Sequence, residues 1–320
     1  MLARHEKLVL GVLLVLLVVS PHFLSSFLLT LLTQSLIYAI LAMSLDLQLG
    51  YTGLASLGHA AYFGLGAYSV GVGATRYGAG FWTVLAVAVL LAAAVAAVFG
   101  LVALRATGVY FIMITLALNM VVWGLAMRWV SLTKGDNGIA NVPRPDLGLP
   151  WSFARSIPYF YLTLAGFLLV LWVLWVVVGS PFGQTLVGIR GSESRMRALG
   201  YNVFLHKFIG FVLAGTLTSL GGVLWAYYNR LVSPSDLELA MSVEALLMVA
   251  LGGRASLLGP AVGAAAIVGL KNLVSVYTHR WALILGAVYI ATIVYAPEGI
   301  AGVVRRFRRG VRPTGLASRA

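Results

Sequence analysis

Long apolar runs separated by short polar stretches make up most of this chain. The runs extend over 8–20, 24–49, 56–75, 81–104, 108–130, 158–179, 206–228, 243–252, 260–277 and 281–297. Most approach the roughly 20 residues with which a helix crosses about 30 Å of hydrocarbon. They are too uniformly apolar for the alternation of a membrane β-barrel, and backbone groups in lipid must find partners within their own segment, so the runs predict helices. The expected architecture is all-α and polytopic, one transmembrane domain over 1–320 with about ten segments, eight at the fewest. The run at 243–252 is too short to cross alone. It predicts part of a broken or re-entrant helix, and whether 243–277 crosses twice stays open at this point.

Composition agrees with the pattern. With 61% apolar residues, 10% charged ones and a mean hydropathy of +0.97, the chain has too little polar surface to solvate a globule of 320 residues. A net charge of +13 would suit nucleic acid, but the cations sit in short connections and in the tail, without interleaved aromatics, so that partner is not expected. There are no cysteines, which removes disulfides, thiolate metal sites and thiol catalysis. The N-terminal run imitates a secretory signal peptide, with Arg4 and Lys7 ahead of Leu8–Val19. No clean small-x-small cleavage pattern follows, so a retained anchor helix is expected.

Lys and Arg set the expected orientation. Arg4 and Lys7, the group Arg190, Arg195, Arg197 and Lys207, and the tail at 304–320 with Arg305, Arg306, Arg308, Arg309, Arg312 and Arg319 all read as cytoplasmic. Both termini are then inside. The stretch 131–157 balances Lys134, Arg144 and Arg155 with Asp136 and Asp146, carries Pro143, Pro145 and Pro150, and reads as the periplasmic loop. The longest polar interruption on the cytoplasmic side, 180–207, is expected to stand in water.

Two short strings echo one another. Gly53-Leu-Ala-Ser-Leu-Gly58 follows the second run and Gly253-Arg-Ala-Ser-Leu-Leu-Gly259 follows the eighth. Either they mark an internal repeat whose paired interrupted helices meet at a substrate path, or small residues simply recur where membrane helices pack closely. The glycines and alanines from Gly58 to Ala74 carry the same two readings, a moving wall or tight packing.

Charges near the spans narrow the chemistry. Asp46 and Glu298 stand at helix ends and are expected to reach water as structural groups, Glu244 reads as a gate or docking charge, and Lys271 is expected to snorkel outward near Arg280. Five histidines at 5, 22, 59, 206 and 279 are scattered without metal-ligand spacing, so no metal or other cofactor is expected. His59 reads as a helix-terminal packing or hydrogen-bonding group. Ser56 lacks the Gly-x-Ser-x-Gly spacing of a nucleophile, and no Gly-x-x-x-x-Gly-Lys-Ser/Thr phosphate loop occurs. The chain is therefore not expected to be an enzyme.

Several separated strings resemble one family. Gly50-Tyr-Thr-Gly-Leu-Ala-Ser-Leu-Gly-His-Ala-Ala-Tyr-Phe-Gly-Leu-Gly-Ala-Tyr68 is similar to the signature of the inner-membrane permeases of branched-chain amino acid ABC importers. Leu104-Arg-Ala-Thr-Gly-Val-Tyr110, Leu132-Thr-Lys-Gly-Asp-Asn-Gly-Ile139, Ala198-Leu-Gly-Tyr-Asn-Val203, Val249-Ala-Leu-Gly-Gly-Arg-Ala-Ser-Leu-Leu-Gly-Pro260 and Pro297-Glu-Gly-Ile-Ala-Gly302 fit as well. The likeness covers about 35–303 and favours the M-type of the two related subunits.

That resemblance implies a heteromeric importer in the bacterial inner membrane, with a second homologous permease, two cytoplasmic ATPases and a periplasmic binding protein. It makes 180–207 a coupling loop, with a short helix around Ser192–Leu199 seated in an ATPase. Glu193 near the helix start, Arg195 and Arg197 further along, and Gly200 as a stop suit such a helix. The serines and glycine here depart from the family's commoner composition, which leaves the contacts open. Polar candidates for a passage are Ser56, Thr115, Asn119 and Ser256, with Gly53, Gly58, Gly253 and Gly259 at the joints; each also has a packing or intrahelical role open to it. Urea or short-amide permeases resemble the same family, and a self-sufficient secondary transporter or channel is the other class that stands.

Overall fold

A computed structural model of the chain describes residues 17–148, 153, 155–277 and scattered positions between 283 and 302. Most of the run at 8–20, much of that at 281–297, Arg280, Glu298 and the basic tail lie outside them. The described residues form α1 (Ser26–Asp46, running on as a π-helical turn over Leu47–Thr52), α2 (His59–Arg76), α3 (Phe81–Ala103), α4 (Val109–Arg128) and α5 (Ser156–Gly179). They continue through α6 (Pro181–Gly191), α7 (Glu193–Ala198), α8 (Val203–Asn229), α9 (Leu239–Gly252) and α10 (Gly259–Tyr277). Six of these described helices are long and apolar enough to cross a membrane: α1 with its π turn, α3, α4, α5, α8 and α10. The chain is an all-α, multi-pass membrane protein.

α2 and α9 fall outside the six for different reasons. α9 has 14 residues, about 21 Å at 1.5 Å per residue against roughly 30 Å of hydrocarbon. α2 is diluted by glycine, tyrosine and histidine. Its helix starts at His59, so the apolar run expected over 56–75 is helical only beyond the glycine string.

Local sequence sets where several helices begin. Ser25 accepts the Leu28 N–H at 3.4 Å, Ser180 accepts that of Gly183 at 3.3 Å with Pro181 in the first helical position, and Asn202 accepts that of Leu205 at 3.1 Å. Each side chain supplies a partner to an N–H that the first turn leaves orphaned.

α1 is the hub. Every residue from Ser35 to Thr52 is buried, and the helix packs against α5, α8, α9 and α10. α4 is its opposite: only 22% of its most apolar stretch is buried, against 67% for α1. Exposed Leu90, Tyr110 and Trp172 on α3, α4 and α5 mark the rim that lipid covers. α2 crosses α8 so closely that a Cβ at Gly66 would overlap the Ser219 carbonyl, and one at Gly222 that of Phe63. At these positions the close-packing role of small residues is realised.

The molecule has two ends. At one, α6 meets the π turn of α1 and carries α7 beside it. At the other, Ile139–Ala140 pairs antiparallel with Leu231–Val232, Arg76 donates to the Ser131 carbonyl, and Arg144 donates to that of Tyr227 at 3.1 Å while lying over the Tyr159 ring.

The connection over 180–207 does not stand wholly in water. Gly183, Thr185, Leu186 and Ile189 of α6 are buried, because that helix is amphipathic and lies against α1 and α8. Lys207, at the far limit of the stretch, is buried as well. Only α7 has no buried residue.

Candidate functional site

The two glycine strings are both breaks between helices, and they lie against the same end of α1. At the first, Gly53 takes φ +77°, which ends the π turn and lets the chain leave in a direction an L side chain resists. The segment to Gly58 is then fastened from three directions. Thr115 on α4 accepts the Leu57 N–H at 3.1 Å, Ser56 accepts that of Gly58 at 3.2 Å, and Ser242 on α9 accepts that of Ala60 at 2.9 Å. One helical turn beyond Thr115, Asn119 donates to the Leu237 carbonyl at 2.9 Å. All four of these side chains are buried, so each meets a backbone group that would otherwise be unpaired in a dry interior.

At the second break Gly253 takes φ +108° and Ala255, despite its Cβ, φ +53°. Successive N–H groups of Ala255 and Ser256 converge on the two carboxylate oxygens of Asp46, at 3.0 and 3.2 Å. This is the backbone concavity that binds anions, here filled by the protein's own side chain. Ser256 then accepts the N–H of Gly259, three residues on at the start of α10, at 3.2 Å, whereas Ser56 accepts that of Gly58, two residues on and just ahead of α2.

Gly50 joins the two. A Cβ there would collide with the Asp46 carboxylate and the Ala255 nitrogen, so the π turn touches the second break without a spacer. Arg190, near the end of α6, donates to the Gly50 carbonyl, and its side-chain stem covers Gly53.

α7 is built by local rules. Ser192 accepts the Arg195 N–H at 3.3 Å as N-cap, and Gly200 stops the helix at φ +85°, where the Tyr201 N–H reaches the Met196 carbonyl at 3.1 Å. Glu193 is bonded to Arg197 one turn on, at 3.0 Å, and to Lys207 at the root of α8. Arg195 and Leu199 stand exposed.

Two sequence expectations change, and the reading of His59 narrows to one of its two roles. Asp46 does not reach water: it is 1% exposed, because the second break folds over it. Lys271 does not snorkel outward but pairs with Glu244 at 2.8 Å, tying α10 to α9 and giving both charges a partner inside the helix pair. His59 is a packing group, its ring edge-on to Tyr62 and neither nitrogen hydrogen-bonded. At the opposite end, the Asp236 carboxyl is pushed above its ordinary range by burial, with the Ser233 N–H and the Trp225 indole pulling it back.

Arg190, Ser242 and Gly50 were not singled out from the sequence. Arg190 appeared only among the loop cations; its one distinguishing signal was a place on the apolar half of the connection. A cavity of about 540 Å³ opens elsewhere, between α2, α3 and α4, with apolar walls including Leu65, Val72, Val84 and Leu125. None of Gly53, Ser56, Gly58, Thr115, Asn119, Gly253, Ser256 and Gly259 lines it.

Comparison with known proteins follows the same lines. A family model described as branched-chain amino acid transport system / permease component matches residues 27–294. The chain is 30% identical to the high-affinity branched-chain amino acid transport system permease protein LivM of Escherichia coli (strain K12), over 94% of this chain and 76% of that one. It is 29% identical to the protein of the same description from Salmonella typhimurium, with the same coverage. Identity is 22% to the probable branched-chain amino acid transport permease protein LivM of Methanocaldococcus jannaschii, over 82% of this chain and 90% of that one. No solved structure matches.

Proposed function

The chain belongs to the family of branched-chain amino acid transport system permease components, and on that premise we propose that its two glycine breaks and the α6–α7 connection form the moving parts of an importer. It is the permease of an ATP-binding-cassette importer, a transport subunit and not an enzyme. Its substrates, on this reading, are branched-chain and other hydrophobic amino acids moved into the cytoplasm. Two cytoplasmic ATPases supply the energy, a second homologous permease completes the passage, and a periplasmic binding protein delivers the substrate.

Ten crossings fit this reading, with both termini and α6–α7 inside and the 131–157 stretch outside, since the cations gather on the α7 side. α9 and α10 then cross in opposite directions around the break at 253–258. The echoing strings act as the joints of a repeat, a reading supported by the bond that Ser56 and Ser256 each make to a glycine N–H of their own string. The passage runs along these joints, past Thr115 and Asn119.

One observation carries the coupling assignment. α7 exposes Arg195 and Leu199, while Glu193 anchors it to α8 and Arg190 of the same connection reaches the first break. A partner pushing on α7 thus moves a connection whose other helix is bonded, through Arg190, to the turn just ahead of the first joint. The test is the double variant R195E/R197E in the complete complex. It should reach the membrane and assemble, yet lose most ATP-driven leucine uptake; normal uptake refutes the assignment. Proteoliposomes holding this chain alone and moving leucine down an ion gradient would establish a secondary transporter, and uptake of urea in place of leucine a short-amide permease.

A further inference from the structure

Asp46, Gly50 and Arg190 share one contact surface, although the residues involved come from three distant parts of the chain. The Asp46 carboxylate holds the N–H groups of Ala255 and Ser256, 209 and 210 residues away in sequence. Gly50 lies one turn beyond Asp46, and its carbonyl takes the Arg190 guanidinium, 140 residues distant. That carbonyl is available because the π turn ends at Thr52, before an i+5 N–H can return to it. A cation from α6 fills the vacancy in an interior where an unpaired carbonyl is expensive.

The second break is held in a costly backbone state. Ala255 sits in the left-handed region that a Cβ disfavours, beside Gly253 at φ +108°. Such residues persist only where their surroundings over-determine them, and they concentrate in elements that switch. Among the described residues, the Asp46 carboxylate is the one side chain from outside the break that bonds its N–H groups, while Gly299 packs against Gly253. The missing Cβ of Gly50 is what lets the nitrogen of Ala255 approach.

We propose that Asp46 is a latch that holds the 253–258 break in its strained form, and that Arg190 is the positioning residue through which the α6–α7 connection works it. A shift of α6 pulls on the Gly50 carbonyl, moves the π turn and withdraws the carboxylate from the two N–H groups. The break then relaxes and α10 changes its approach to α9. This assignment rests on the importer reading of the preceding subsection and adds to it which side chains carry the motion.

The experiment uses the complete importer in proteoliposomes with D46N, R190A and R190K, reading leucine uptake and ATP hydrolysis together. A second arm exploits the absence of cysteine by placing a spin label at L257C within the break. D46N and R190A should lose at least about tenfold in leucine moved per ATP, with complex recovered at wild-type amounts. R190K, which keeps one cationic donor, should recover much of that ratio. The label should be immobile in the L257C parent and in R190K, and gain a mobile component in D46N and R190A. Uptake and hydrolysis falling in proportion to complex recovered, or a label equally immobile in D46N, overturns the latch. Failure of the parent complex to import leucine counts against the function reading instead, and the label arm still decides the latch.

Discussion

The breaks at 53–58 and 253–258 carry nearly the same letters and each holds a serine that bonds a nearby glycine N–H, yet they are held by different means. The first is fastened by several neutral hydrogen bonds from α4, α9 and its own Ser56, with Arg190 over Gly53. The second takes its side-chain bonds from outside the break from one buried carboxylate, beside its own Ser256 and the packing of Gly299 on Gly253. A neutral hydrogen bond contributes about 1 kcal/mol and one to a charged group about 1.5–3 kcal/mol. Holding is therefore distributed at the first break and concentrated at the second. A joint that several helices share moves only with them, whereas one held by a single side chain can be released by displacing that side chain.

The variant expected to do most damage is G50A, because it strikes both joints at once. Its Cβ meets the Asp46 carboxylate and the Ala255 backbone, which has no flexible end to yield. A cost of about 3 kcal/mol should appear as a large loss of folded protein after heating in detergent. Wild-type survival would show that the joints are not in contact.

Distribution at the first break predicts smaller, separable losses. S242A leaves the buried Ala60 N–H without its acceptor and should cost about 2 kcal/mol. T115V does the same to Leu57 at about 1.5 kcal/mol, somewhat less because that N–H is only partly buried. Melting of the purified protein measures both, and a loss in T115V exceeding that in S242A would reverse the order given. The two serines give the most direct comparison. S56A and S256A each remove one serine-to-N–H hydrogen bond and should each cost about 1 kcal/mol, and a difference above twofold would break the equivalence of the two joints. Least of all, R197A removes an i,i+4 pair whose arginine is 66% exposed, for which about 0.3 kcal/mol is expected. Its melting curve should overlay the wild type.

Much of the plan is local chemistry and could be read directly. The short helix expected around 192–199 forms over Glu193–Ala198 and stops at Gly200, since an N-cap serine and a left-handed glycine act within one turn. The spans follow from apolar length. Asp46 was legible as a costly charge in an apolar run but not in its surroundings, because its two donors come from the far end of the chain. For the same reason Lys271 was read as facing outward: the partner that turns it inward, Glu244, lies on the neighbouring helix. The stretch 180–207 looked uniformly soluble because its charges are conspicuous, whereas burial of α6 depends on the groove between α1 and α8.

The sequence by itself determined that this chain is a helical membrane protein, where most of its helices begin, and that its two glycine strings are alike. Hydrophobic length, capping and backbone freedom act over a few residues, so the order of letters suffices. Only the tertiary structure decided that both strings abut one end of α1, that a buried carboxylate holds one and neutral groups the other, and that Arg190 reaches between them. Apart from the bond Ser56 makes within its own string, those contacts join residues 58 to 210 positions apart. Such pairings are selected by the packing of whole helices, in an interior where each unpaired polar group must find a partner wherever the fold brings one near.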